Sequence, residues 1–226
     1  MVKKDLIEKS PIRRLETTLS GGLKAGEFGV IAAQKGVGKT SLLVQLGIDE
    51  LLKGNRVFHI SFSQGIDYTV AWYNNMYEEL AKHKNLESAD TIKEEIIANR
   101  VVLNFNQDMI TTAQIMKTVT ALTEGANAKP HVLMIDDFDF SKATKESIAE
   151  FKQLAKELGV SIWFTAKLDV TDGIPSTIKS FVDDIEVILL LKQTSYSEVG
   201  ITAVKEHNRK DVAVDVKFDT KSLLLV

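Results

Sequence analysis

The chain has 226 residues, 44% hydrophobic and 26% charged, which is ordinary globular composition; this length is expected to form a single α/β domain over 1–226 with a buried sheet. A net charge of −3 and a pI near 5.9 argue against a polycation that grips nucleic acid without specificity. The absence of cysteine excludes disulfides, thiolate metal sites and cysteine nucleophiles.

No apolar core follows "MVKKDLIEKS", so a signal peptide is not expected. The run "VILLL" at 187–191 is too short to span a bilayer, and a cytoplasmic location without membrane contact is the default expectation. "EFGVIAA" (27–33) predicts a buried strand. "GKTSLLVQLGIDELLKG" then predicts a helix with Leu42, Leu43, Leu46 and Leu51 on its apolar face and Gly54 just past its end. "RVFHISF" (56–62) is the next strand. Residues 66–83 predict a helix with Val70, Tyr73, Met76 and Leu80 on one side, and 88–99 a second, polar helix. A strand follows at 100–105, a helix at 111–124 and an almost wholly apolar strand, "HVLMID", at 131–136. "KESIAEFKQLAKELG" is an amphipathic helix and "VSIWFTA" a strand; "IEVILLL", "VGITAVK" and "VAVDVKF" are three more. Apolar strands alternating with helices predict a mainly parallel sheet covered on both faces, with the last three strands extending it as antiparallel hairpins.

The stretch "AAQKGVGKTS" (32–41) carries the chemistry. A phosphate-cradling loop runs glycine, four residues, glycine, lysine, then serine or threonine. Ala33 takes the first place, and Gly38, Lys39 and Thr40 the others. Turning the loop's N–H groups inward needs unusual dihedrals chiefly at Gly36 and Gly38, so the alanine is tolerable. A helix starting there points its unpaired N–H groups and positive dipole end at an anion. Gln34, Lys35, Gly36, Val37, Gly38, Lys39, Thr40 and Ser41 are therefore the expected contacts to a nucleotide's phosphates. Lys39 supplies a charge to the β- and γ-phosphates, and Thr40 a hydroxyl ligand to Mg²⁺.

"VLMIDDFDF" supplies a second feature. Asp136, at the carboxyl end of a buried strand, is expected to hold Mg²⁺ through its water shell, while Asp137 and Asp139 read as turn residues. His59 and His131 have no partner at ligand spacing and read as core or edge residues. The aromatics of "DYTVAWYNNMY" suit the core, or a base or partner.

The segment from "LSGGLKAGE" through "HISF" resembles the ATPase core of the RecA-like superfamily, in its branch of DnaB-type replicative helicases, RadA and KaiC. The alanine-first loop is similar to the DnaB-type form. The resemblance implies a RecA-like P-loop fold, with ATP held between the loop and, in many relatives, a neighbouring subunit. A homo-oligomer and a protein partner are thus both open.

The same resemblance marks departures. Relatives carry an acidic residue after the second strand that polarises the attacking water, whereas "ISFSQG" places Ser63 or Gln64 there. Gln64 can position a water by hydrogen bonding, or both are ordinary strand-end residues. Relatives end a later strand in lysine, any residue, arginine; here Lys205 is kept, His207 takes the arginine place and Arg209 lies two further on. The loops that contact DNA in relatives read "DFDFSKATKES" and "LDVTDGIPSTIKSFVDD", with carboxylates balancing the lysines, so DNA binding is weakly supported. Lys167 stands where relatives place a γ-phosphate sensor, or is a surface lysine. These features together predict an Mg²⁺-ATP-binding protein with slow or absent hydrolysis, acting as a regulatory or assembly factor. The competing expectation is a DNA-dependent ATPase drawing its base from Asp137 or Asp139 and its arginine from Arg209.

Overall fold

The computed structural model describes residues 1–125, 129–169 and 173–226. Its strands are β1 (Phe28–Ala33), β2 (Val57–Ser61), β3 (Arg100–Asn104), β4 (Val132–Asp136), β5 (Ser161–Lys167), β6 (Val187–Gln193), β7 (Glu198–Glu206) and β8 (Arg209–Asp219). They form one eight-stranded sheet in the order β3-β2-β4-β5-β1-β6-β7-β8. The helices are α1 (Lys3–Glu8), α2 (Pro11–Thr18), α3 (Lys39–Leu52), α4 (Ile66–Lys84), α5 (Ala89–Ala98), α6 (Thr112–Gly125) and α7 (Lys145–Leu158).

Successive strand residues point to opposite faces. Ile31, Val57, Met134, Trp163 and Leu189 pack on the side of α3, α4 and α5. Val30, Phe58, Leu133, Phe164 and Ile188 pack with α6 and α7. β1, β2 and β4 are buried at every position, because helices cover both faces and no polar side is required.

The predicted run of alternating elements is present, with two differences. First, β6, β7 and β8 form the two expected antiparallel hairpins, but β6 also joins the parallel sheet by pairing parallel with β1, so β7 alone runs against the other strands. The long connection after β5, with a 3₁₀ turn at Ser176–Asp184, returns the chain to the starting end of β1 before β6 begins. Second, α1 and α2 precede the sheet; Ser10 caps α2 by accepting from the Ile12 N–H at 3.2 Å, with Pro11 in the first turn. α3 is buried nearly all round, broader than a single apolar face, because α2, α4, α5 and the C-terminal residues Leu224 and Leu225 all pack in its cluster. Among the described residues no helix is long and apolar enough to cross a membrane.

β1 and β5 approach closely at Gly29, which stands in register with Trp163. A Cβ at Gly29 would lie 2.4 Å from the buried indole ring. Gly29→Ala is accordingly expected to cost about 1–3 kcal/mol through overpacking, read as a lowered urea midpoint with an unchanged m-value.

Candidate functional site

The site lies at the carboxyl ends of β1, β4 and β5, where ligands bind open α/β sheets. The chain leaves β1 at Ala33 and turns through 34–38 into α3. Gly36 and Gly38 have φ of 85° and 116°, the left-handed region, as the sequence predicts for those two positions. The space around both is open, so backbone conformation rather than crowding requires glycine. Gly38 is the N-cap and Lys39 the first helical residue. Gln34, Lys35 and Gly36 are exposed, and Val37, Gly38, Lys39 and Thr40 half-buried. Ser41 is only 2% exposed and belongs to the core side of α3. Lys39 Nζ reaches back across the loop to donate to the Ala33 carbonyl at 3.4 Å.

Asp136, 2% exposed, is where three elements meet. Thr40 Oγ1, from α3, donates to Asp136 Oδ2 at 2.9 Å, and Thr165 Oγ1, from β5, donates to Oδ1 at 2.7 Å. The Thr165 hydroxyl also accepts from the Asp137 N–H at 2.8 Å. No local signal in the sequence marks Thr165, because only the parallel register of β4 and β5 brings it beside residue 136. The hydroxyl and carboxylate pair is an all-oxygen donor set, which suits a hard cation such as Mg²⁺.

Burial, then the Asp137 charge, push the Asp136 carboxyl above its usual range; Thr165, Thr40 and Lys39 oppose them. Burial likewise lowers Lys39, opposed first by Asp137 and then by Asp136, with Lys167 adding repulsion. Lys167 is exposed and in register with Ala33, which brings it to the rim of the same site. Gln64 is held just past the end of β2 through its backbone: its N–H donates to Ser61 Oγ at 3.0 Å, and its carbonyl accepts from Asn104 Nδ2 at 2.7 Å. Ser63 Oγ donates to Asp137 Oδ2.

Other sequence candidates lie elsewhere. The β7–β8 turn is at the opposite end of the sheet, since Glu206 pairs with Val187 and Val187 with Gly29. Arg209 donates to Glu206, to the Thr18 carbonyl at 2.7 Å and to Ser20 Oγ at 3.0 Å. Lys205 donates to the Val182 carbonyl at 2.5 Å. His207 bridges Glu206 and Glu27 at 2.8 and 3.3 Å. In the loop after β4, Phe138 and Phe140 are buried and Lys142 pairs with Asp108. The other loop includes residues 170–172, which lie outside the described residues. His59 is buried against the Tyr73 hydroxyl at 3.2 Å and held down to about 3, by burial and then by Arg100. His131 is exposed, 3.6 Å from Glu50. Of the aromatics on α4, Tyr73 and Tyr77 are core, while Tyr68 is half exposed.

This sheet, with its loop between β1 and α3, defines an α/β protein with the fold of the RecA-like ATPases. No family model matches the chain, and no curated protein matches it. A solved structure described as an ATPase domain is similar, with a TM-score of 0.71 at 16% identity over 95% of this chain and 88% of that one.

Two outcomes follow from the site and from the distal turn. A buried carboxyl with a raised pKa takes up its proton in the folded state first, so its burden on stability grows as pH rises. Asp136→Asn removes that burden and should gain about 0.5–2 kcal/mol at neutral pH without ligand, measured by urea unfolding. Glu206 behaves oppositely: Arg209, helped by His207, holds its carboxyl down to about 2 from 4.5. Its stabilisation is present above pH 4.5 and fades as pH falls towards 2. Glu206→Gln should therefore cost about 1–3 kcal/mol at neutral pH, and its urea midpoint should converge on the parent's across that acid range.

Proposed function

We propose that the chain binds ATP with Mg²⁺ at the loop between β1 and α3, and that occupancy rather than rapid turnover is its working signal. One observation carries the reading. The two left-handed glycines, the helix start at Lys39 and the Thr40–Asp136 contact stand together at the carboxyl end of the sheet. In this reading the loop amides from Gln34 to Thr40 receive the phosphate oxygens, and Lys39 turns from the Ala33 carbonyl to the β- and γ-phosphates. Thr40 and Asp136 hold the cation, directly or through its waters. Mg²⁺, when bound, neutralises charge across the β- and γ-oxygens. Lys167, on the rim, suits contact with the terminal phosphate.

Slow hydrolysis is supported by two features. No carboxylate stands at 63 or 64, and Arg209 is engaged within its own chain far from the loop. A transition-state arginine is worth about 10³–10⁵ in rate where one acts, so its absence from the site favours a bound, long-lived nucleotide. That lifetime suits a regulatory or assembly role, switched by differential affinity of two states for the nucleotide.

The test is a thermal-shift titration with Mg²⁺-ATP, Mg²⁺-ADP and a non-hydrolysable analogue. Ligand at 100 times Kd should stabilise the parent by about 2.7 kcal/mol. Lys39→Ala should lose about 2 kcal/mol of binding, roughly 30-fold in Kd, because it removes charge-assisted hydrogen bonds. A parent with no nucleotide shift, or a Lys39→Ala variant with unchanged affinity, would overturn the reading.

A further inference from the structure

The carboxylate absent after β2 has a neighbour in space. Ser61 and Asp136 are in register on adjacent strands, and the Phe62 N–H donates to the Asp136 carbonyl at 3.1 Å. The chains leaving β2 and β4 therefore emerge side by side, and Ser63 meets Asp137. Asp137 turns away from the strand with a φ of 56°, in the left-handed region that Asp enters more readily than most non-glycine residues. Its N–H is anchored by the Thr165 hydroxyl, and the next residue, Phe138, is locked in an aromatic cluster with Phe140, Phe151 and Phe164 at centroid distances of 5.0–5.7 Å. The chain reversal sends consecutive carboxylates to different environments. Asp136 is buried with both oxygens occupied by threonines; Asp137 is exposed, held by Ser63, and acts on the Lys39 ammonium.

We propose that Asp137 is the catalytic carboxylate of this site, aligning the water that attacks the γ-phosphate, and that Ser63 is its positioning residue. This rests on the Mg²⁺-ATP reading above. The water oxygen forms a bond to the γ-phosphorus as the bond to the β–γ bridging oxygen breaks. That electron pair leaves with ADP, the water proton passes to Asp137 and then to solvent, and the products are ADP and inorganic phosphate. The carboxylate that relatives carry on the second strand is thus supplied from the adjacent one, with serine left behind to orient it. A side chain one methylene shorter than glutamate, with no arginine from its own chain, gives a slow intrinsic rate rather than none.

The experiment compares the parent, Asp137→Asn and Ser63→Ala in three measurements: affinity for Mg²⁺-ATP, single-turnover phosphate release, and the gain in affinity for Mg²⁺-ADP on adding aluminium fluoride, which mimics the γ-phosphoryl in flight. Asp137→Asn is expected to keep ATP affinity within about twofold, slow phosphate release by at least about 100-fold and lose the aluminium fluoride gain. Ser63→Ala should slow release by a smaller factor, about 3–10-fold, again without loss of affinity. Unchanged release by Asp137→Asn overturns the proposal. So does a parallel fall in ATP affinity, which would make Asp137 a binding residue. So does a parent that binds ATP yet shows neither release nor an aluminium fluoride gain; the nucleotide reading then stands without this one. A parent with no ATP affinity removes both.

Discussion

The arrangement at the end of β4 depends on keeping a carboxylate out of water. Asp136 closes a strand buried at every position, and a desolvated carboxylate there costs several kcal/mol unless donors meet it. Thr40 and Thr165 meet it, one for each oxygen. Because these hydroxyls come from α3 and β5, the requirement ties helix, loop and two strands into one geometry. The loop from 34 to 38 must then cover the distance from Ala33 to the start of α3 in a tight reversal. Left-handed backbone at Gly36 and Gly38 makes that path open to this chain.

The two ends of the sheet are built for different tasks. At the carboxyl end, Lys39 is acted on by Asp137, Asp136 and Lys167, and Asp136 by Asp137 and Lys39, with Lys39 half-buried and Asp137 and Lys167 exposed. At the other end, Glu206 is buried and saturated by His207 and Arg209, while Glu186 accepts from the Phe28 N–H at 2.7 Å and pairs with Lys152 at 2.6 Å. These charges are neutralised inside the chain and serve to anchor the starts of β1 and β6. The contrast explains why a basic hairpin that looks available in the sequence is not part of the site in the folded chain.

Much of the framework was legible because it is local. Apolar runs such as "GVIAA" and "VLMID" are strands wherever helices cover both faces, and the glycines of "KGVGKT" state their own dihedral requirement. The capping pair Thr144 and Ser147, with Gly159 at φ 62°, frames α7 where its apolar period places it. α1 and α2 were not legible by the same means: the two helices are short and charged, and the Ser10–Pro11 start was the one local signal. The parallel pairing of β6 with β1 was not legible for a related reason, since "VILLL" is equally apolar beside a parallel or an antiparallel neighbour.

The sequence by itself determined the fold class, the loop after β1 with its two left-handed glycines, and the strand that ends in Asp136, because each is written in a few consecutive residues. Only the tertiary structure decided that Thr165 shares Asp136 with Thr40, that Ser63 holds Asp137, and that Arg209 is bound to Glu206 and Thr18 away from the loop. Those pairings join residues far apart in the chain. They are set by strand order and register, which depend on how all the apolar faces are buried together and which no short window of residues encodes.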